Sequence, residues 1–271
     1  MVVTITHEGF IKRTATTSYR SQKRGGVGKT GATRKNNDFA ENVFVASTHD
    51  YVVFFTSSGK CFWRKVHELP ESSLTARGRA LTNILDLPED EKIRAFVSLR
   101  DFEQDAYLIM TTRSGIIKKT KLEEYSRPRA NGIIAINLKS NDELIAVRTS
   151  SGSDEILIST KLGQAIRFNE DKVRSVGRNS MGVKGISLKG DDFVVSSEVI
   201  KDSKTQILTI TENGFGKRTE VEKYRLTSRG GKGVTTLKIT EKTGKIVNAF
   251  QVDNETDVIL LSSVGKANRL K

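Results

Sequence analysis

Short runs of β-branched and aromatic residues alternate with polar turns along the whole chain. One phrase recurs: a β-rich run, one or two small polar residues, a glycine, and a second run that ends in Lys or Arg. Its glycines are Gly9, Gly59, Gly115, Gly163, Gly214 and Gly265, at spacings of 50, 56, 48, 51 and 51 residues. Two such runs around a glycine turn are typical of a β-hairpin. The pattern therefore predicts six repeats, each with a hairpin.

The rest of each repeat is also strand-like, as in residues 42–46 and 246–250. No stretch has a sustained 3.6-residue apolar period with caps, so we predict almost no helix, and residues 88–95 are the best candidate for a helical turn. About 50 residues with roughly four strands are typical of one propeller blade. We therefore predict an all-β, six-bladed propeller-like ring, as a single domain over residues 1–271.

Two other architectures compete with the ring. A pair of packed sandwiches does not explain the regular spacing, whereas a tandem solenoid does and ranks below a closed ring. The sixth repeat stops six residues after its glycine. We therefore expect the ring to close with strands from the N-terminal end.

Composition and charge indicate the kind of binding partner and the cellular compartment. The net charge is +13 and the pI about 9.8, with 28% charged residues of both signs, which favours a folded protein with a polyanionic partner. The one cysteine, Cys61, excludes an internal disulfide and fits a reducing cytoplasm. No run approaches the ~20 apolar residues of a membrane span. The abrupt start and end suggest a domain cut from a longer chain.

The basic residues concentrate in equivalent parts of the repeats. Windows that start at each hairpin turn and run through the following loop cover 9–37, 59–82, 113–139, 161–189, 214–238 and 265–271. They hold 37 of the 45 basic and 8 of the 32 acidic residues, a net charge of +29, which leaves −16 for the rest of the chain. In a ring, equivalent positions lie on the same part of the rim. The repeats thus predict a positive belt.

A positive belt on a curved body predicts DNA bending, because duplex that touches one blade reaches the next only by curving. Phosphate contacts of this kind carry little sequence information, so we expect binding without sequence specificity. The candidate DNA-binding residues are Lys12, Arg13, Arg20, Lys29, Arg34, Lys35, Arg64, Lys65, Arg77, Arg79, Lys118, Lys119, Arg127, Arg129, Arg167, Arg174, Arg178, Lys184, Lys217, Arg218, Arg229 and Lys232.

A glycine-rich loop in the first repeat, residues 22–31, matches fragments of two nucleotide-binding motifs. Both motifs place phosphate at the N-terminus of a following helix, and a basic, turn-rich stretch follows here instead. The same loop type returns in the fifth repeat, because Arg24 and Arg229 lie at the same offset from their repeat glycines, as does Arg178 in the fourth. Glycines there let a phosphate approach the backbone N–H groups.

The residues of this loop carry a specific resemblance. The sequence QKRGGVG is similar to the seven-residue box of DNA gyrase A, QRRGG(R/K)G, and departs from it at Lys23 and Val27. The box residues are Gln22, Lys23, Arg24, Gly25, Gly26, Val27 and Gly28. With six repeats of the right length and a basic rim, the whole chain resembles the C-terminal DNA-wrapping domain of gyrase A.

This resemblance implies a six-bladed β-pinwheel that wraps duplex DNA with positive handedness, so that the parent enzyme, an ATP-dependent topoisomerase, introduces negative supercoils. The implied partners are double-stranded DNA, the rest of gyrase A and the ATPase subunit, with no membrane and a monomeric isolated domain. We expect a cytoplasmic, nucleoid-associated, bacterial protein. Val27 replaces a basic residue of the box and Lys23 lacks the planar fork of arginine.

We expect no catalytic site, cofactor or metal in this chain. The histidines His7, His49 and His67 are scattered, and no Ser/His/Asp constellation stands out. Tyr19, Tyr125 and Tyr224 lie at the same offset from their repeat glycines, which indicates blade packing rather than a nucleophile. Two alternatives remain: the C-terminal domain of a topoisomerase IV subunit, and a propeller that docks acidic proteins.

Overall fold

The computed structural model describes residues 1–18, 38, 40–88, 91–129, 131–256, 258–261 and 267–270. Strands dominate the described residues, joined by single 3-10 turns and one short helix, α1, Leu81–Leu85. The strands are β1 Val2–Thr6, β2 Phe10–Thr14, β3 Ala40–Val45, β4 Tyr51–Thr56, β5 Lys60–Lys65, β6 Arg79–Ala80, β7 Ile93–Leu99, β8 Tyr107–Thr112, β9 Ile116–Lys121, β10 Ile133–Ile134, β11 Leu144–Ser150, β12 Glu155–Thr160, β13 Gln164–Asn169, β14 Val183–Lys184, β15 Val194–Ile200, β16 Gln206–Thr211, β17 Gly216–Glu220, β18 Val234–Thr235, β19 Ile246–Val252, β20 Val258–Leu261 and β21 Ala267–Leu270.

Each four-stranded sheet combines two repeats. The hairpin and the long third strand come from one repeat, and a two-residue fourth strand comes from the next, giving the orders β3-β1-β2-β6, β10-β5-β4-β7, β11-β8-β9-β14 and β15-β12-β13-β18. The fifth sheet, β17-β16-β19, has three strands, and β20 pairs only with β21 among the described strands. Neighbouring blades are therefore joined by the backbone hydrogen bonds that each exchanged fourth strand forms with the preceding repeat.

The repeat glycines make this exchange possible. Gly9, Gly59, Gly115 and Gly163 all have φ between +81° and +94°, a region that L side chains rarely adopt. The carbonyl oxygen of each accepts the N–H of the residue that follows the fourth strand, at 2.8–2.9 Å. At Gly163 a Cβ atom would lie 2.3 Å from Leu237 O. At Gly59, Gly115 and Gly163 glycine thus serves both the turn and the close approach of the next repeat, whereas at Gly9 it serves the turn alone.

Carboxylates cap the same turns. The residue before the repeat glycine donates its backbone N–H to Asp38 at 3.1 Å, Glu91 at 3.0 Å, Asp142 at 2.9 Å and Asp192 at 2.8 Å in repeats one to four. In the fifth repeat Asn213 reverses the polarity and donates its side-chain amide to two carbonyls. Turn capping therefore explains part of the acidic charge outside the basic windows.

The third strands of the blades converge on a shared central cavity of about 750 Å³, lined from all five larger sheets. Arg94 and Arg148 line this cavity from β7 and β11 and form ion pairs with Glu143, just before β11, at 2.5 Å and with Glu198 in β15 at 2.7 Å. Apolar clusters fill the spaces between successive blades. The exchanged fourth strands lie at the opposite edge of each sheet, which is the outer rim of the ring.

The all-β, propeller-like prediction is confirmed, with a smaller blade count. Among the described residues there are five sheets of three or more strands, and the sixth repeat contributes only the β20–β21 pair. Of residues 88–95, the candidate helical turn, 93–95 belong to β7, and residues 89 and 90 lie outside the described residues. The helix α1 lies earlier, and its Leu81 and Leu85 are buried in the apolar cluster between blades one and two.

The packing role predicted for Tyr125 and Tyr224 is confirmed, and the cysteine and the tryptophan also pack within blade two. Cys61 lies buried in β5, beside the buried Phe62, and Trp63 packs edge-on against Tyr51 at 4.8 Å. Tyr125 and Tyr224 are buried packing residues, with exposures of 0% and 2%. Across the described residues, no helix is long and apolar enough to span a membrane.

Candidate nucleic-acid interface

The segments that lead to the exchanged strands form the outer rim. We call them the crossing segments: residues 66–80, 122–129 with 131–134, 170–184 and 221–235 of repeats two to five. Each begins with a 3-10 turn and ends in the fourth strand of the preceding blade, and those of repeats two, four and five run parallel to the second hairpin strand of that blade. Isolated bridges such as Arg13 with Glu71 and Arg167 with Leu226 mark the parallel run.

Adjacent crossing segments are tied to each other. Arg178 donates through Nη1 to Ile134 O at 2.8 Å, and Arg229 donates through Nη1 to Lys184 O at 3.1 Å. Ile134 and Lys184 are both the second residue of a fourth strand, so the two arginines have the same role in successive repeats. The predicted equivalence of Arg178 and Arg229 is confirmed, while the loop of repeat one lies outside the described residues. These two guanidinium groups join the crossing segments of repeats three, four and five.

Seven cations on the crossing segments are exposed, and their side chains form no hydrogen bond, ion pair or ring contact with another described residue. We call them the rim cations. They are Arg79, Arg127, Arg129, Arg174, Lys184, Arg225 and Lys232. Repeats three, four and five contribute two each, so positive charge recurs along the outer edge of consecutive blades.

Arg225 was missed in the sequence, although a signal was available. It lies at the same offset from Gly214 as Arg174 does from Gly163. Aligning the repeats by their glycines places both residues just after the 3-10 turn of a crossing segment. The repeat register therefore identifies a rim position that the basic windows alone do not single out.

Other predicted DNA-binding residues have protein partners. Arg77 pairs with Glu8 and stacks 3.6 Å over the Phe10 ring. Arg13 pairs with Glu71 at 2.7 Å, and Lys65 lies over the Tyr51 ring. The remaining contacts go to main-chain or amide oxygens: Arg64 to Trp63 O and Ile84 O, Lys217 to Thr236 O, and Arg218 to Asp253 O and Asn254 Oδ1.

Four predicted DNA-binding residues are buried inside the blades, and we correct that prediction for them: Lys12, Lys118, Lys119 and Arg167, with exposures of 3%, 0%, 6% and 8%. Lys119 pairs with Glu170 at 2.9 Å, and Arg167 with Glu155 at 2.6 Å. A cation enclosed in this way cannot reach a phosphate outside the blade. The Lys or Arg in the second strand of a hairpin can therefore stabilise the blade instead of binding DNA.

The buried Lys118 makes stability depend on pH. Burial lowers the pKa of Lys118 to about 7, against 10.5 for an ordinary lysine. Between these values the unfolded chain binds the extra proton, so stability rises with pH. We expect the free energy of unfolding of the wild type to rise relative to Lys118→Met by roughly 1–3 kcal/mol from pH 7 to pH 9. Urea titrations at both values measure it, and a constant difference between the proteins would contradict it.

The fifth repeat adds backbone donors to the rim. In the loop Arg229–Gly233, Gly230 and Gly233 have φ of +80° and +75°. Gly231 and Lys232 are exposed, and their N–H groups have no acceptor within the described ranges. Successive free N–H groups beside a lysine suit a phosphate oxygen. This loop is related in sequence to the glycine-rich box.

The box itself, Gln22–Gly28, lies outside the described residues, together with Tyr19, Arg20, Lys29, Arg34, Lys35 and Gly265. Its interpretation therefore stays a prediction. The histidines are less scattered than expected, because the His49 and His67 ring centroids are 6.3 Å apart. Within the described part of the chain, no group of three His, Cys, Asp or Glu residues is arranged to hold a metal ion.

Comparison with known proteins identifies the family. The model of the DNA gyrase C-terminal domain, beta-propeller, matches residues 1–47, 50–100, 106–151, 154–201 and 205–253. These five segments correspond to the five larger blades. The residues outside them include the β20–β21 pair.

Relatives in sequence are A subunits of DNA gyrase. The chain is 45% identical to that of Salmonella typhimurium over 271 residues and 46% identical to that of Clostridium acetobutylicum over 270 residues. Both alignments cover 100% of this chain but only 31% and 32% of the relatives. The chain thus spans about a third of the length of these curated relatives.

Solved structures agree on the fold. The crystal structure of the C-terminal domain of DNA topoisomerase IV superposes with a TM-score of 0.84 at 28% identity, covering 100% of this chain and 83% of that one. The structure of a DNA gyrase A C-terminal domain superposes with a TM-score of 0.78 at 29% identity, covering 99% and 88%. Together with the family match, these findings confirm the resemblance: the chain belongs to the family of DNA gyrase C-terminal β-propeller domains.

Proposed function

We propose that this chain binds duplex DNA without sequence specificity along its rim and bends it around the ring, as the wrapping domain of DNA gyrase A. The observation that carries the proposal is the row of exposed, unpaired rim cations at the outer edge of consecutive blades. Cations that neutralise phosphates release condensed counterions, which favours binding at low salt. Duplex that follows this row must curve with the ring.

Contacts between the rim cations and phosphates can offset the free energy of bending the DNA. Bending a 20–30 bp site by 40–90° costs on the order of 1–6 kcal/mol. Repeats three to five each offer two rim cations, and the Gly231 and Lys232 N–H groups add donors in the fifth. Each further blade can therefore offset its share of the bend with its own phosphate contacts.

The larger assembly is part of the proposal. Residues 1–271 act as one six-repeat domain, joined to the rest of gyrase A and working with the ATPase subunit of a cytoplasmic, nucleoid-associated enzyme. That enzyme, an ATP-dependent DNA topoisomerase, introduces negative supercoils, and this chain supplies the wrap rather than the chemistry. The box residues 22–28 belong to the wrapping surface.

Fewer observations support the alternative that the chain is a topoisomerase IV domain. Its fold is shared, so architecture does not separate the two enzymes. The near-intact QKRGGVG box favours gyrase. A propeller that docks acidic proteins would need no duplex, and a linking-number assay separates it from a wrapping domain.

That assay tests the wrap directly. With the chain bound to a nicked plasmid, ligation followed by removal of protein is expected to trap positive supercoils, increasing in number with protein and decreasing with salt. Two-dimensional gel electrophoresis measures both sign and number. An unchanged linking number at saturating protein would refute wrapping, and trapped negative supercoils would refute the proposed handedness.

A further inference from the structure

One hairpin position is occupied by two kinds of residue. Three residues after the repeat glycine lie Lys12 and Lys118 in repeats one and three, but Phe62 and Ile166 in repeats two and four. All four side chains are buried under a crossing segment that arrives from the next repeat. The blades therefore alternate between a cation and an apolar group beneath the rim.

The two lysines are enclosed by main-chain carbonyls. Lys12 Nζ donates to Ser73 O at 3.1 Å, Leu74 O at 2.6 Å and Ala76 O at 2.7 Å, all in the crossing segment of repeat two. An ammonium group has three donors, and all three are used. The next residues along that segment are Arg77, Gly78 and the rim cation Arg79.

Lys118 repeats the arrangement in blade three. Its Nζ donates to Ala135 O at 2.6 Å and to Arg178 O, which lies in the crossing segment of repeat four. Leu74 and Arg178 lie at the same offset from their repeat glycines. The same point of each crossing segment is therefore held by the same hairpin position, and Arg178 lies between the rim cations Arg174 and Lys184.

Charge pairing does not explain these lysines, because neither Nζ forms an ion pair with a described carboxylate. Burial lowers the pKa of both, so enclosing the ammonium groups has a cost. The benefit is the satisfaction of carbonyls in segments too irregular to pair along their length. In blade two that task falls to packing, with the Phe62 ring so close to Gly132 that a Cβ atom there would lie 2.6 Å from it.

We propose that Lys12 and Lys118 are positioning residues for DNA binding: they hold the crossing segments in the conformation that presents their rim cations. The inference rests on the proposed function. Lys12 acts through Arg79, and Lys118 acts through Arg174 and Lys184. Neither lysine touches DNA.

A double-mutant cycle tests this coupling. The dissociation constant for linear duplex is measured at one low salt concentration for four forms of the whole chain: wild type, Lys118→Met, the rim variant Arg174→Ala/Lys184→Ala, and the combination. We expect Lys118→Met to weaken binding about 5- to 10-fold in the wild-type background and less than about 2-fold in the rim variant, because the cations it positions are then gone.

The control is Lys121→Met, which removes an exposed cation near the end of the same strand, beside Glu123. Its effect should be equal in both backgrounds. A parallel cycle with Lys12→Met and Arg79→Ala tests the same coupling for the other buried lysine, so the test does not depend on one variant folding well. Amide hydrogen exchange of residues 170–184 without DNA should accelerate in Lys118→Met and not in Lys121→Met.

Equal losses in the two backgrounds, for both lysines, would overturn the inference, because the lysines would then act independently of the rim cations. A wild-type chain that does not retain duplex at all would instead refute the proposed function. The two failures are therefore distinguishable in one experiment.

Discussion

Replacing six rim cations with alanine should abolish wrapping while leaving the ring folded. The six are Arg127, Arg129, Arg174, Lys184, Arg225 and Lys232. Each is exposed and forms no hydrogen bond, ion pair or ring contact with other described residues, so little stability is lost. We expect affinity for duplex to fall at least about 100-fold near 0.1 M salt, and the slope of log K against log salt to fall by about 5, since each phosphate contact contributes about 0.9.

A matched variant separates position from net charge. Lys92, Arg100, Lys201, Lys204, Lys242 and Lys245 are also exposed but lie on loops next to the third strands, away from the crossing segments. Replacing them lowers the net charge by the same six units, from +13 to +7. Filter binding and the linking-number assay should show nearly wild-type behaviour for this variant. If both variants lose affinity equally, a diffuse positive field binds DNA and the rim proposal fails.

The hairpins and the ring could be predicted from the sequence because both are local or periodic. A glycine with positive φ between two β-branched runs is a local signal, and its recurrence near 50 residues indicates blades. The exchange of strands was not predictable in the same way. Strands such as β10 and β14 have only two residues, and their partners lie in another repeat.

The same distinction explains the errors about individual cations. Charge counting treats Lys118 and Lys184 alike, since both lie in basic windows. The structure encloses the first among carbonyls and leaves the second in solvent. Whether a cation is buried depends on whether a crossing segment packs over it, and this long-range contact is not encoded in the composition. The glycine register still carries part of this information, because it aligns Lys12 with Lys118 and Arg174 with Arg225.

Removing the Tyr125 ring should cause a large loss of stability. Tyr125 has 0% exposure and packs in the cluster between blades two and three, 6.5 Å edge-on from the Phe55 ring. Its hydroxyl donates to Ala135 O at 3.2 Å, the oxygen that also accepts from Lys118. Truncating a buried aromatic side chain costs about 3–5 kcal/mol. We expect that loss in the free energy of unfolding for Tyr125→Ala.

Tyr125→Phe is the control, because it keeps the ring and removes only the hydroxyl, at a cost of about 1 kcal/mol. Trp63, the one tryptophan, packs against the same cluster, so its fluorescence during urea unfolding reports on this interface directly. In a ring of blades that contact mainly their neighbours, the loss should also appear as earlier unfolding of blades two and three than of the rest. A loss below about 1 kcal/mol for Tyr125→Ala would show that the two blades are held by their exchanged strands rather than by the core between them.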